Sequence, residues 1–139
     1  MGPMNLSKGP PRRPSAELAG VVFLPRTIDK ARAFLPGGNP GEYALHGFSQ
    51  RMFDALGITE HAFVDAVAAA ASDDDVASFV TAHTSPEKIA TWNAFVAVRE
   101  PRGGDRVAAL ENYPWLGERP DLIVTLDILE EDDRRHFAR

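Results

Sequence analysis

Proline and glycine interrupt this chain so often that no segment is long enough for an extended helix. Breaks at 36–41, 57 and 103–104 end helices or form turns, because proline lacks an amide donor and glycine is conformationally free. Between the breaks, apolar residues such as Trp92 and Val96 recur three and four positions apart, which is typical of amphipathic helices. The pattern predicts an all-α fold, a compact bundle of about five to seven short helices.

The N-terminal part of the chain differs in composition from the rest. Residues 1–15 contain four prolines and three basic side chains but no acidic residue, which indicates a flexible, basic arm that either lies free or docks on the body. No other segment resembles a linker, so residues 16–139 are expected to form a single helical domain. Within this domain, the apolar run 20–24 fits either a short strand or an extended segment that leads into a helix.

Residues with known capping preferences mark several helix boundaries. Ser49, Thr59 and Ser85 precede helical patterns, and each is expected to accept a hydrogen bond from the first turn. Gly57 follows one of these patterns and suits a helix C-terminus. The segment 122–129 has leucines at helical spacing but also β-branched residues, so a helix and a strand both fit it.

Charge and composition exclude several classes of function. The net charge is −5, and a net acidic body repels nucleic acid, so nucleic acid is not expected as a partner. The chain contains no cysteine, which excludes a disulfide framework, a thiolate metal site and a cysteine nucleophile. No apolar run approaches the length of a membrane span or a signal peptide, so we expect a cytoplasmic protein without membrane contact.

Metal ligands do not occur at a recognised spacing. His61 and Asp65 stand four positions apart on a predicted helix, but no second histidine lies near them in sequence, as a zinc motif would require. The acidic run 73–75 lacks the alternating ligands and central glycine of a calcium loop, and acids in a first helical turn are explained by the helix dipole. The sequence therefore predicts no metal and no cofactor.

A dense charged cluster beside the glycine-rich loop provides the candidate site. Arg26, Asp29 and Lys30 are three and four positions apart and so share one helix face. Two cations beside one carboxylate would keep it ionised and would bind an anionic ligand. A surface ion-pair ladder, or a buried pair that fixes the loop, explains the same spacing. The predicted ligand-binding residues are Arg26, Asp29, Lys30, Arg32, Glu42 and Tyr43.

The same region carries a family resemblance. The stretch Leu-Pro-Arg-Thr-Ile-Asp-Lys-Ala-Arg-Ala at 24–33, with Gly-Glu-Tyr at 41–43, resembles a bacterial family known only as domain of unknown function 5069. Weaker similarity covers Leu56–Ile58, Ser85–Glu87, Trp92–Asn93 and Thr125–Asp133. The resemblance implies a small, standalone, helical bacterial domain; no activity is established for the family, so no catalytic residue is assigned. After Gly-Glu-Tyr the family often carries a cysteine and then an acid, whereas this chain has His46–Ser49.

Three functions fit these observations. The first is a binding or regulatory module that holds a small anionic molecule, or an acidic peptide end, between the charged helix and the glycine-rich loop. The second is an enzyme that uses Asp29 or Glu42 as general base. Tyr43 or Lys30 would then serve as its acid. The third is a structural or interaction module whose charged motif locks the fold and whose small-residue surface at 66–71 pairs two copies as a homodimer.

Overall fold

The computed structural model describes residues 1–138 and shows a mainly helical chain with one short hairpin. This part of the chain forms β1 (Glu17–Leu18), β2 (Val21–Val22), α1 (Leu24–Ala33), α2 (Phe48–Leu56), α3 (Glu60–Ala69), α4 (Asp73–His83), α5 (Pro86–Val98), α6 (Arg106–Ala109) and α7 (Thr125–Phe137). Short 3-10 helices at Pro101–Gly104 and Pro114–Glu118 connect α5 to α6 and α6 to α7. The predicted all-α bundle of short helices is confirmed. Among the helices within residues 1–138, none combines the length and apolarity that crossing a bilayer requires.

The apolar segment before α1 folds as a hairpin with a two-residue turn. β1 and β2 pair antiparallel, with Leu18 opposite Val21. Ala19 and Gly20 in the turn have φ values of 52° and 74°, and a type I′ turn requires positive φ at both positions. Of the two alternatives for 20–24, the strand therefore forms, over two residues.

Helices α1 to α5 surround the main hydrophobic core. Large buried side chains come from α5 (Trp92), α2 (Phe53) and α3 (Phe63), and the ring centres of Phe53 and Phe63 lie 5.0 Å apart. Trp92 donates from Nε1 to the carbonyl oxygen of Val22 at 2.8 Å, so its burial leaves no unpaired indole N–H. A second, smaller core that includes α7 consists of Ala109, Leu116 and Ile128.

Three of the predicted helix boundaries are confirmed. The hydroxyl of Thr59 accepts from the amide of Ala62 at 3.1 Å. The hydroxyl of Ser85 accepts from the amide of Lys88 at 3.2 Å. Gly57 follows α2 with a φ of 73°, a left-handed conformation that glycine adopts without steric cost.

The cap predicted at Ser49 is wrong. Gly47, with a φ of 78°, is the residue that precedes α2, so Ser49 lies within the first turn of the helix. Its side chain is buried, and its hydroxyl lies 3.2 Å from that of Thr27 on α1. Because a buried hydroxyl needs a partner, this serine joins α2 to α1 instead of capping its own helix.

The segment 122–129 leads into a helix rather than a strand. The β-branched residues Ile123 and Val124 precede α7, while Leu126 and Leu129 within it pack against the main core. The preference of branched residues for strands depends on packing within a sheet. Helix α7 contacts helix α5 instead. The helical spacing of the leucines therefore outweighs the branched residues.

The proline-rich arm lies along the helical body. Leu6 is buried, and its amide donates to the carbonyl of Asn39 at 2.7 Å, while the amide of Asn39 donates to the carbonyl of Met4 at 3.0 Å. At Gly41, where φ is 57°, a Cβ would lie 2.9 Å from the oxygen of Leu6, so the close approach requires glycine. These contacts hold the glycine-rich loop against the arm; the flexibility and the domain boundary predicted here stay predictions.

Candidate functional site

Helix α1 places its charged side chains inside the protein. Arg26 is 2% exposed, Asp29 3% and Lys30 7%. The residue before the helix, Phe23, has a φ of 77°, which is strained for a bulky side chain and costs about 1–3 kcal/mol. Its ring centre lies 5.8 Å from the guanidinium carbon of Arg26 and 5.3 Å from Nζ of Lys30. Arg26 and Lys30, four positions apart, therefore place their cationic groups beside one buried aromatic ring.

Arg26 pairs with an acid from the far end of the chain. Its Nη1 and Nη2 donate to the two carboxylate oxygens of Asp133 at 2.7 and 3.2 Å. The hydroxyl of Tyr43 donates to Oδ1 of the same carboxylate at 2.7 Å. Burial, together with this hydrogen bond, raises the pKa of Tyr43, so the phenol stays protonated. Arg26 and Tyr43 thus share one acceptor, Asp133, which was not among the predicted site residues.

Lys30 has no such partner. Within residues 1–138 its Nζ makes no hydrogen bond or ion pair, although it lies close to the Phe23 ring. Burial, and secondly the charge of Arg26, lowers the pKa of Lys30 to about 7, while Asp133 acts in the opposite direction. A lysine with such a pKa is partly neutral at physiological pH, and its amine is then available as a base or nucleophile.

Lys30 borders a cavity of about 410 Å³, which we call the Lys30 pocket. Its polar and charged walls are Arg26, Lys30, Glu42, Tyr43, His46, Asn112, Tyr113, Asp132, Asp133 and His136. The side chain of Glu42 is 82% exposed and lies 3.7 Å from Nδ1 of His136. Asp132 accepts from the indole of Trp115 at 2.9 Å. Because three carboxylates here face one arginine and one partly neutral lysine, this pocket alone does not favour an anion.

Asp29 lies outside this pocket and anchors the N-terminal arm. It accepts from the backbone amide of Arg12 at 2.8 Å and from its guanidinium at 3.1 to 3.2 Å. The guanidinium of Arg12 also reaches Asp73, at the start of α4, at 2.6 Å. This hydrogen bond, with the charge of Arg12, lowers the pKa of Asp73. Asp29 is therefore fully occupied by the arm.

Arg32 also lies outside the Lys30 pocket. Its Nε donates to the carbonyl oxygen of Gly2 at 2.8 Å, which fastens the beginning of the arm to α1. The structure thus brings four of the six predicted residues together on one cavity, and it assigns the other two to the arm. The four that line the Lys30 pocket are Arg26, Lys30, Glu42 and Tyr43.

A second cavity, of about 550 Å³, adjoins the first and was not predicted. We call it the arginine pocket, because its walls within residues 1–138 include Arg51, Arg99 and Arg102 but no acidic residue. The guanidinium carbons of Arg51 and Arg99 lie 5.8 and 5.7 Å from the ring centre of Phe95. Arg102 is partly neutralised, since it pairs with Glu111 at 3.2 Å. The pocket therefore presents net positive charge.

The arginine pocket also contains an unsatisfied hydroxyl. Thr125, the first residue of α7, is 6% exposed and lines the pocket. Its Oγ1 is buried and has no hydrogen-bond partner within residues 1–138. A buried polar atom without a partner costs about 1–3 kcal/mol, so this hydroxyl would gain from a side-chain rotation that lets it donate to a ligand in the pocket.

The two cavities offer different chemistry. Guanidinium groups bind carboxylate and phosphate oxygens through charge-assisted hydrogen bonds, which suits the arginine pocket to an anion. The Lys30 pocket instead supplies an amine, several carboxylates and two imidazoles. Metal binding has no comparable basis, since within residues 1–138 no three histidine or acidic side chains are arranged to hold an ion.

Fold and site together define a small α-helical protein with two adjoining charged pockets. The chain belongs to the family described as domain of unknown function (DUF5069), whose family model matches residues 8–135. This match covers nearly the whole chain and confirms the resemblance noted at the charged cluster. Comparison with curated proteins gives no match.

Proposed function

We propose that this protein is a binding module for a small anionic ligand, and that the arginine pocket holds the anionic group. The observation that carries the proposal is the pair Arg51 and Arg99. Both guanidinium groups lie within 6 Å of the Phe95 ring centre, and neither forms an ion pair in residues 1–138. Both arginines line one cavity, so an anion bound in it would be attracted by both charges.

The walls of the arginine pocket suit an oxyanion. A guanidinium presents its N–H groups in a planar fork that matches carboxylate and phosphate geometry. The hydroxyl of Thr125 has no hydrogen-bond partner within residues 1–138, and after a side-chain rotation it would donate to one ligand oxygen and so remove the cost of its own burial. This hydroxyl distinguishes the pocket from a set of solvated surface arginines, since those would leave no buried donor to satisfy.

The two pockets share walls, so one ligand would reach both. Phe48, Tyr113 and Leu129 line each cavity. With volumes of about 410 and 550 Å³, each lies within the range that small-molecule sites occupy. A ligand with its anionic end in the arginine pocket would therefore extend its other end toward Lys30.

For Arg26, Asp29 and Arg32 we propose a structural role. Each donates or accepts within the chain: Arg26 to Asp133, Arg32 to Gly2, and Asp29 from the arm. The interpretation of the charged motif as a lock for the fold is supported at these three positions. The ligand-binding role that the sequence predicts is supported at Lys30, whose amine lines a cavity and has no partner among residues 1–138.

Differential scanning fluorimetry with inorganic phosphate and with succinate tests the binding proposal. A ligand that binds only the folded state stabilises it by about 2.7 kcal/mol at a concentration one hundred times its Kd. We expect a saturable rise of several degrees in the Tm over sodium chloride at equal ionic strength. Arg51→Gln and Arg99→Gln should each reduce this rise and leave the Tm without ligand nearly unchanged, because among the described residues neither side chain forms a hydrogen bond or an ion pair.

Arg134→Gln is the matched control, since Arg134 is an exposed arginine that pairs with Glu131 away from both pockets. This variant should retain the full response to phosphate and succinate. The proposal would be wrong if neither anion raised the Tm above the chloride control, or if Arg134→Gln reduced the response as strongly as the pocket variants.

The remaining expectations from the sequence stay proposals. An enzymatic role through Asp29 has no support, because Arg12 occupies that carboxylate; Glu42, Tyr43 and Lys30 do share one cavity. We retain a bacterial origin and a cytoplasmic location as proposals. Homodimerisation through 66–71 is also retained, and light scattering at high protein concentration would test it.

A further inference from the structure

The amine of Lys30 occupies an unusual position for a lysine. Surface lysines keep the ammonium in water, whereas Lys30 is 7% exposed and its Nζ lies 5.3 Å from the Phe23 ring centre. Within residues 1–138 no carboxylate pairs with it, and Asp133, whose charge acts on Lys30, is already bonded to Arg26 and Tyr43. Its amine therefore borders a ligand-sized cavity without a hydrogen-bonding or ionic partner in the described part of the chain.

From this geometry we propose that Lys30 forms an imine with the carbonyl group of a small aldehyde or ketone that occupies the Lys30 pocket. The proposal deepens the proposed function and rests on it for one feature, the anionic group of the ligand. Phe48, Tyr113 and Leu129 line both cavities. A ligand with its anionic group in the arginine pocket would therefore have its carbonyl end on the side of Lys30.

The surroundings favour the neutral amine that such a reaction needs. Only the unprotonated nitrogen has the electron pair that attacks a carbonyl carbon. Apolar burial disfavours the ammonium, and the guanidinium of Arg26 repels it, so the pKa of Lys30 falls to about 7. Lysines that form Schiff bases are activated in this way, by desolvation or by a neighbouring cation.

The reaction balances without an oxidant or a reductant. The amine nitrogen bonds to the carbonyl carbon and loses a proton, while the carbonyl oxygen takes up a proton to give a carbinolamine. A second proton converts the hydroxyl into leaving water, and the C=N double bond forms. The imidazoles of His46 and His136 line the same cavity, and because a neutral imidazole carries one donor and one acceptor nitrogen, they are suited to exchange these protons.

Reductive trapping tests the inference on the intact chain. The protein is incubated at pH 7 with succinic semialdehyde, or with butyraldehyde as the uncharged analogue of equal chain length, in the presence of cyanoborohydride. Peptide mapping by mass spectrometry then gives the labelling rate of each lysine. The other two lysines, Lys8 and Lys88, are both exposed and serve as internal controls within the same molecule.

We expect Lys30 to be labelled about tenfold or more faster than Lys8 and Lys88, because ordinary lysines are almost fully protonated at pH 7.

Faster labelling of Lys30 by both aldehydes supports the imine, and a preference for the semialdehyde that Arg51→Gln removes also supports the proposed anion site. Equal labelling of Lys30 by the two aldehydes supports the imine and counts only against the anion site. If Lys30 reacts no faster than Lys8 and Lys88 with either aldehyde, the imine is overturned, while the phosphate response still decides the proposed function.

Discussion

Arg26 and Asp133 are 107 positions apart in sequence, yet their side chains form a two-pronged ion pair inside the protein, with N–O distances of 2.7 and 3.2 Å. The pair joins α1, near the start of the body, to α7 at the end of the chain. It also orients Tyr43, which donates to the same carboxylate. One contact therefore closes the fold and forms a wall of the Lys30 pocket.

Removing the charge of Asp133 should destabilise the protein strongly. In Asp133→Asn, the guanidinium of Arg26 would stay buried at 2% exposure without a compensating charge. Breaking one side of a buried ion pair costs about 3–5 kcal/mol, and we expect a loss of this size in the free energy of unfolding measured with urea. The control is Glu130→Gln, whose partner Arg13 is an exposed side chain; an exposed pair contributes about 0–1 kcal/mol. Similar losses in both variants would contradict the structural role of Asp133.

Lys30 should make the stability of the protein depend on pH. Its pKa falls from 10.5 in the unfolded chain to about 7 in the folded protein. Between these values the unfolded chain binds the extra proton, so stability rises with pH across this window. Below pH 7 both states are protonated and the destabilisation is complete, with an upper limit of roughly 5 kcal/mol.

Lys30→Met removes this titrating group and keeps an apolar stem of similar length. We therefore expect the variant to be more stable than the wild type at pH 6, by up to a few kcal/mol, and this advantage to shrink as the pH approaches 10. Urea unfolding at several pH values measures the effect. Lys88→Met, at an exposed position, should show no such trend. A constant difference between Lys30→Met and wild type at every pH would argue against a shifted pKa.

The sequence predicted the fold well where the signals are local. Spacing of apolar residues and the breaks between them predicted short helices, and the caps at Thr59 and Ser85 are confirmed because a cap depends only on residues three positions away. Ser49 was assigned wrongly since its hydroxyl bonds to Thr27 on another helix. A contact between helices leaves no trace in local spacing.

The same distinction applies to the site. The charged motif includes Lys30 and Tyr43, and the structure places both on one cavity; their role as ligand-binding residues stays a prediction. The arginine pocket escaped prediction because Arg51 and Arg99 stand in unrelated segments and only packing of α2 beside α5 brings them to the same ring. Asp133 belonged to an acidic run that resembles a solvated helix end, and only its burial against α1 sets it apart.

Asp29 should hold the N-terminal arm against the body. Its carboxylate accepts the backbone amide of Arg12 in addition to the guanidinium, so Asp29→Asn weakens both contacts. We expect a loss of about 1–3 kcal/mol and faster hydrogen exchange across residues 1–15. The control is Asp73→Asn, which removes a part-exposed contact to the Arg12 side chain and one of the three acids in the first turn of α4; it should cost about 1 kcal/mol. Unchanged exchange in the arm of Asp29→Asn would contradict this anchoring role.

Asn93 should hold the hairpin on α5, although it stands in mid-helix, where its residue type is unfavourable. Its Oδ1 accepts from the amide of Val22 at 3.1 Å, and its Nδ2 donates to the carbonyl of Gly20 at 2.7 Å. Asn93→Ala would leave the part-buried amide of Val22 unpaired, whereas the exposed carbonyl of Gly20 would bind water, so despite the better helix propensity of alanine we expect a loss of about 1 kcal/mol. Hydrogen exchange at the Val22 amide should also accelerate.

The control is Thr91→Ala, since Thr91 bonds only within its own helix and should change stability by less than about 0.5 kcal/mol. If the Val22 amide remained equally protected in Asn93→Ala, the side chain would not be what binds the hairpin, and the packing of Trp92 beside it would have to account for that attachment.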